Sequence, residues 1–175
     1  MIHHTVLTAI GADRPGLVDE VSRFIVERGG NLEDSRMVNL HGQFAMMILV
    51  AGPEETMARM RDDLDELVTV SAVHAQMVTA DAERGGVAAA LPFRLQTWAM
   101  DHPGLLRAVS HLLSSMGANI ESVQTSLQGA PMTGTPVFSM ELVISVPATA
   151  AIAELRAALG RLCDDQNMDW RLIAL

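Results

Sequence analysis

The sequence predicts an α+β chain that writes one β-α-β-β-α-β unit twice, each with an antiparallel sheet and its helices on one face. Three observations carry this. Residues 13–33 return as residues 101–121, shifted by 88 with no gap. Apolar residues switch between strand-like and helix-like spacing in the same order in both halves. A stretch that is charged and then rich in glycine and alanine, "DAERGGVAAAL", separates the copies and reads as a linker. The expected layout is one domain over 1–80, a linker over 81–91 and a second domain over 92–175.

The repeat is specific. Nine of its 21 paired positions are identical, among them Asp13/Asp101, Pro15/Pro103, Gly16/Gly104, Leu17/Leu105, Asn31/Asn119 and Glu33/Glu121. In the first copy, residues 4–10 are β-rich and uncharged and read as a strand. Pro15 suits a first helical turn, and Asp13 is placed to cap or flank it. Leu17, Val21, Phe24 and Ile25 recur at helical spacing, and Gly29-Gly30 ends that helix. "NLEDSRMVNL" and "FAMMILVA" read as strands joined by a short turn at "HGQ". Pro53 opens a second helix with Met57, Met60, Leu64 and Leu67 on its apolar face, and residues 69–78 close the unit as a fourth strand. The second copy repeats the order with strands at 93–99, 119–128, 137–146 and 169–175, and with helices at 103–116 and around Ile152, Leu155, Leu159 and Leu162. This is the split βαβ or ferredoxin-like arrangement. The copies differ by six residues added before Phe138, which make the loop at 128–136 a candidate lid or an idle surface loop.

Composition narrows the function. Apolar residues make up 49% and charged residues 19% of the 175 residues, so a packed core is expected. A net charge of −9, with basic residues scattered, disfavours direct nucleic-acid binding. No apolar run is long enough to span a membrane and no secretory signal opens the chain, so a cytoplasmic location is expected. The single cysteine, Cys163, sits at helical apolar spacing and reads as a small buried hydrophobe. The six histidines show no metal-ligand spacing; no phosphate-binding or dinucleotide-binding glycine motif and no nucleophile elbow is present, so neither a cofactor nor an enzyme activity is expected.

The "DRPGL" and "DHPGL" turns admit two readings. As fold grammar, proline, glycine and aspartate reverse the chain from strand to helix. As a site, the exposed N–H groups at a helix start attract a carboxylate, so a small amino acid suits that end. Asn31 and Asn119 follow the helix exit and need not lie at the same edge, so a neighbouring domain is a natural contributor.

A β-α-β-β-α-β unit with "DRPGL" after its first strand and "GGN" or "GAN" after its first helix resembles the ACT domain. Two such units filling the chain, with no enzyme domain attached, resemble the glycine cleavage system transcriptional repressor family. The resemblance implies non-enzymatic regulation by a small amino acid, glycine or serine in type, bound at ACT-domain interfaces. Carried over residue by residue, it nominates Asp13, Arg14, Pro15, Gly16, Leu17 and Asn31 in the first copy. In the second it nominates Asp101, His102, Pro103, Gly104, Leu105 and Asn119. It also implies pairing of ACT sheets, either between two chains as a homodimer or between the two copies within one chain, and a protein partner such as a DNA-binding regulator. The other reading is an interaction module with vestigial ligand sites.

Overall fold

The structure is a computed structural model that describes residues 1–80, 89–129 and 134–175. These form two compact units, one on each side of residues 81–88. The first runs β1 (His3–Ala12), α1 (Leu17–Glu27), β2 (Asn31–Leu40), β3 (Gln43–Gly52), α2 (Glu54–Asp62), α3 (Leu64–Ser71) and β4 (Val73–Thr79). The second runs β5 (Ala90–Met100), α4 (Leu105–Ser115), β6 (Asn119–Gly129), β7 (Pro136–Pro147), α5 (Ile152–Asp165) and β8 (Met168–Ala174). Each sheet has four antiparallel strands, ordered β2-β3-β1-β4 and β6-β7-β5-β8. The ferredoxin-like order expected from the repeat is the observed one.

Period-two burial fixes each central strand. Thr5, Leu7, Ala9 and Gly11 of β1 point inward while their neighbours do not. The inward face packs on Leu17, Val21, Phe24 and Ile25 of α1, all four buried, and on Met57, Met60 and Leu67 of α2 and α3. In the second unit Leu95, Leu142 and Ile144 meet Leu105, Val109 and Leu113 of α4 and Leu155, Leu159 and Cys163 of α5. Cys163 is fully buried, and burial pushes its thiol up to about 11, so it packs as a hydrophobe and is not a nucleophile at neutral pH.

Helix exits follow one design. Gly29 takes a left-handed φ of 81°, its N–H donates to Val26 O at 2.9 Å, and Gly30 N–H donates to Ile25 O at 3.0 Å. Gly117 and Ala118 make the same pair of bonds to Ser114 and Leu113. This is the two-bond Schellman termination. The β2–β3 turn is a two-residue hairpin, with His41 and Gly42 both at positive φ, as a type I′ turn demands.

Several expectations shift. The second helix of the first unit breaks at Asp63 into α2 and α3, because Asp63 leaves the helix to accept a 2.8 Å bond from Arg28 Nε, while Glu66 accepts from Arg28 Nη2 at 2.6 Å. The last strand of that unit starts at Val73, not Thr69. Residues 69–71 continue α3 because Leu67 and Ser71, four apart, are both buried, and Ala72 then turns the chain with φ 51°. The expected linker lies outside the described residues up to 88, and its last two residues, Ala90 and Leu91, are already in β5. The added loop is narrower than expected, since Gln128, Gly129 and Pro136 belong to strands and residues 130–133 lie outside those described.

Gly30 is a test of this packing. A Cβ there would stand 2.9 Å from both Ile25 Cγ2 and Val50 Cγ1, branched side chains that are stiff at χ1. The matching residue of the second unit is Ala118, which fits. Gly30→Ala is therefore expected to cost about 1–3 kcal/mol in urea unfolding through overpacking, with the second unit's transition unmoved.

Candidate functional site

The site begins with how each central strand hands over to its helix. Arg14, Pro15, Gly16 and Leu17 form a tight turn: Leu17 N–H donates to Arg14 O at 3.4 Å, and Gly16 sits at φ 90°, ψ −11°. Gly104 takes φ 100°, ψ −4°. Those angles belong to the third position of a type II turn, which glycine alone occupies without strain. Proline thus holds the second turn position and lies before the helix, not in its first turn. The glycine is the N-cap residue of each helix, and no side chain caps it. Asp13 does not cap either: its carboxylate accepts from Asn39 Nδ2 at 2.6 Å, and its own N–H donates to Gly42 O at 2.8 Å, which braces the turn on the β2–β3 hairpin. The first N–H groups of α1 and α4 are left with neither an intrahelical acceptor nor a capping side chain.

In the first unit this end is filled. Arg14 donates through both terminal nitrogens to the Glu20 carboxylate, Nη1 to Oε1 at 2.7 Å and Nη2 to Oε2 at 2.6 Å. Nη2 also donates to Ser71 O at 3.2 Å. Glu20 Oε1 lies 4.0 Å from where a Cβ on Gly16 would stand. The bidentate Arg14 bond holds the Glu20 carboxyl down at about 2, against its ordinary 4.5, and the Arg14 guanidinium is raised in return.

In the second unit the same end is open. Nothing lies within 4 Å of the Cβ side of Gly104. A recess of about 490 Å³ is lined there by Asp101, His102, Gly104, Leu105, Leu106, Arg107, Ser110 and Phe138. Three substitutions between the copies explain it. His102 replaces Arg14, Ala108 replaces Glu20, and Arg107 replaces Asp19. The first turn of α1 carries two acids, whereas that of α4 carries none. His102 is half-buried and turns Nδ1 toward Pro103 O at 3.3 Å. Arg107 makes no ion pair among the described residues. A cationic, uncapped helix start beside the carboxyl of Asp101 offers complementary charge to both ends of an amino acid.

The two asparagines lie elsewhere. Asn31 pairs in register with Ala51, and Ala51 with His4, so Asn31 stands at the opposite end of the sheet from the turn that follows Ala12. That is about 26 Å at strand spacing. Asn119 occupies the matching place in the second unit, opposite Ser145. In both units the register slips two residues further on, at Glu33 and Glu121, as at a β-bulge. Asn119 Nδ2 donates to Glu121 Oε1 at 2.7 Å and Ser145 Oγ donates to the same oxygen at 2.6 Å; these two bonds hold the Glu121 carboxyl below its ordinary range. Within one unit, therefore, Asp13, Arg14, Pro15, Gly16 and Leu17 come together, as do Asp101, His102, Pro103, Gly104 and Leu105. Asn31 and Asn119 do not join them.

Residues missed from sequence are Glu20, Ser71 and Asn39 in the first unit and Arg107, Ser110 and Phe138 in the second. The signal for Glu20 and Arg107 was present in the aligned copies, where just inside the helix charge inverts at Asp19/Arg107 and is lost at Glu20/Ala108. Ser71 and Asn39 arrive through tertiary contacts that no spacing announces. Among the described residues no group of three or more potential ligands is placed to hold a metal ion, and no helix is long and apolar enough to cross a membrane.

The fold and the turns together define a class. Family models for the ACT domain match residues 3–78 and 93–160, so the chain belongs to the ACT-domain family and carries two units in tandem. Among curated relatives it is 27% identical, over 94% of this chain and 86% of the relative, to the glycine cleavage system transcriptional repressor of Escherichia coli (strain K12). It is 23% identical to the phosphoserine phosphatase SerB2 of Mycobacterium tuberculosis, over 94% of this chain but only 39% of that enzyme. Two solved structures share the fold along the whole chain. An unknown protein from Galdieria sulphuraria has a TM-score of 0.81 at 24% identity, covering 100% of this chain and 99% of that one. A protein provisionally assigned as a glycine cleavage system transcriptional repressor has a TM-score of 0.74 at 21% identity, covering 100% and 98%.

The Arg14–Glu20 pair sets a pH dependence. Folding lowers the Glu20 pKa from 4.5 to about 2, so the pair's stabilisation is complete above pH 4.5 and is lost as pH falls toward 2. Asp34 and Glu121 also titrate low, so the whole protein weakens in acid. Thermal melts across that window are expected to show a steeper loss for the wild type than for Glu20→Gln, and parallel curves above pH 5.

Proposed function

We propose that this chain is a non-enzymatic regulator that takes up a small amino acid, glycine or serine in type, at the start of α4, and that ligand occupancy sets its affinity for a protein partner. The open, uncapped helix start beside Gly104, with Arg107 and His102 on its rim, is the observation that carries this reading. The ligand carboxylate accepts from the N–H groups of Leu105 to Arg107 and from the Arg107 guanidinium, and its ammonium meets Asp101. Apolar walls from Leu105, Leu106 and Phe138 favour a small side chain.

The recess is wider than glycine or serine fills, so a second surface completes it. An ACT unit of another copy of the chain suits this role, because β6 is an edge strand with free backbone groups along one side. Pairing of two copies and ligand uptake then reinforce one another. Ligand that binds one arrangement more tightly shifts the chain toward it by the ratio of the two affinities and by no more. The partner in this reading is a DNA-binding regulator in the cytoplasm. The acidic surface is unsuited to holding DNA itself, and the similarity to a transcriptional repressor named for the glycine cleavage system supports both glycine and transcription as the setting.

Thermal shift against the twenty amino acids tests the proposal. Glycine or serine at millimolar concentration is expected to raise the melting temperature, by about 2.7 kcal/mol of stabilisation at a hundredfold excess over Kd. Leu106→Asp is the informative variant: an acid in the first turn suits the helix but repels the ligand carboxylate. It is expected to fold well and lose the shift. No shift from any amino acid would sink the proposal and favour an interaction module with vestigial sites.

A further inference from the structure

We infer that the strand-to-helix turn of the first unit is a carboxylate seat already filled by the chain's own Glu20, so that Glu20 closes this unit to free amino acids and leaves one ligand per chain. The inference rests on reading these turns as carboxylate seats and adds that one of them is self-occupied.

The geometry is that of a bound ligand. Glu20 meets Arg14 with two parallel bonds, the fork-to-carboxylate arrangement by which arginine holds free carboxylates. Its Oε1 lies 4.0 Å from where a Cβ on Gly16 would stand, a place the second unit leaves open beside Gly104. Arg14 is held independently of Glu20, because Nη2 also donates to the Ser71 carbonyl at 3.2 Å. Ser71 itself is 2% exposed and lines the groove that reaches Glu20. Its hydroxyl has no hydrogen bond of full geometry, yet lies close enough to Glu20 to help keep that carboxyl ionised. An anchored guanidinium thus grips the carboxylate, and a buried hydroxyl without a hydrogen-bond partner lines the same groove. A solvated surface ion pair needs neither.

The two possibilities part when the carboxylate is removed. Truncating a surface pair leaves nothing to refill, whereas emptying a seat leaves a site for an external carboxylate. Acetate is the probe, compared with chloride at matched ionic strength and neutral pH. The melting temperature of Glu20→Ala is expected to rise several degrees more in acetate than that of the wild type or of an Arg14→Ala/Glu20→Ala double variant, in which only the open α4 start is available to the anion. If Glu20→Ala responds no more than the wild type, the inference is overturned. Should Glu20→Ala fail to fold in chloride, Glu20→Ser carries the same comparison, and folding of either variant only in acetate supports the seat. Glycine titration by calorimetry separates this inference from the proposed function. One site in the wild type and two in Glu20→Ala support both. None in the wild type and one in Glu20→Ala defeats uptake at α4 while keeping the seat. Two sites in the wild type, or equal numbers in both proteins, overturn self-occupancy.

Discussion

The chain must leave the central strand of each sheet and reverse into a helix within four residues, and only a left-handed glycine lets it do so. Gly16 and Gly104 carry that reversal at φ 90° and 100°. Placing a glycine at the N-cap gives up the side chain that ordinarily closes a helix start. The helix then lies back over the strand's inward face and buries Leu17, Val21 and Ile25 against Leu7 and Ala9, or Leu105, Val109 and Leu113 against Leu95. The same compact reversal that builds the core therefore leaves the first N–H groups of the helix at the rim without intrahelical acceptors. A carboxylate is the natural partner for such groups.

The two copies meet that demand differently. The first sets a carboxylate of its own helix near that rim, held by Arg14, which is also anchored on the Ser71 carbonyl. The second deletes the internal acid at Ala108, reverses the sign one residue earlier at Arg107, and puts a half-buried histidine where the gripping arginine stood. What differs is the sign and placement of charge within one helical turn, not the backbone. Two like strand-to-helix turns, with Gly16 at φ 90° and Gly104 at φ 100°, thus differ in whether a carboxylate of the chain stands beside the glycine.

Much of this was legible in the sequence, for identifiable reasons. The paired glycines, the helical spacing of Leu17, Val21, Phe24 and Ile25, and the "HGQ" turn are local signals, and each formed the element expected. The failures are tertiary. Proline read as a helix opener because its fixed φ suits both a first helical turn and the second position of a type II turn. Asp13 read as capping or flanking the helix, and the sequence could not choose between them because hairpin contact through Asn39 is invisible in one dimension. The second helix read as continuous because Arg28, which draws Asp63 away, lies 35 residues earlier. Asn31 and Asn119 stand at the far end of the sheet from the turns of their own units, a placement the sequence left open, and two residues before a register slip. A bulge at the start of β2 and β6 gives them a structural setting that the repeat alone did not reveal.

Uptake at the start of α4, as proposed, brings the carboxylate of a small amino acid against the backbone there. Amide chemical shifts of the full chain, followed by nitrogen–proton correlation spectra during titration with glycine, test it most directly. The account predicts that the largest saturable changes fall on Gly104 to Arg107, with His102 moving and with Leu17 to Glu20 unmoved. Saturable changes centred on another element, or none at all, would contradict it.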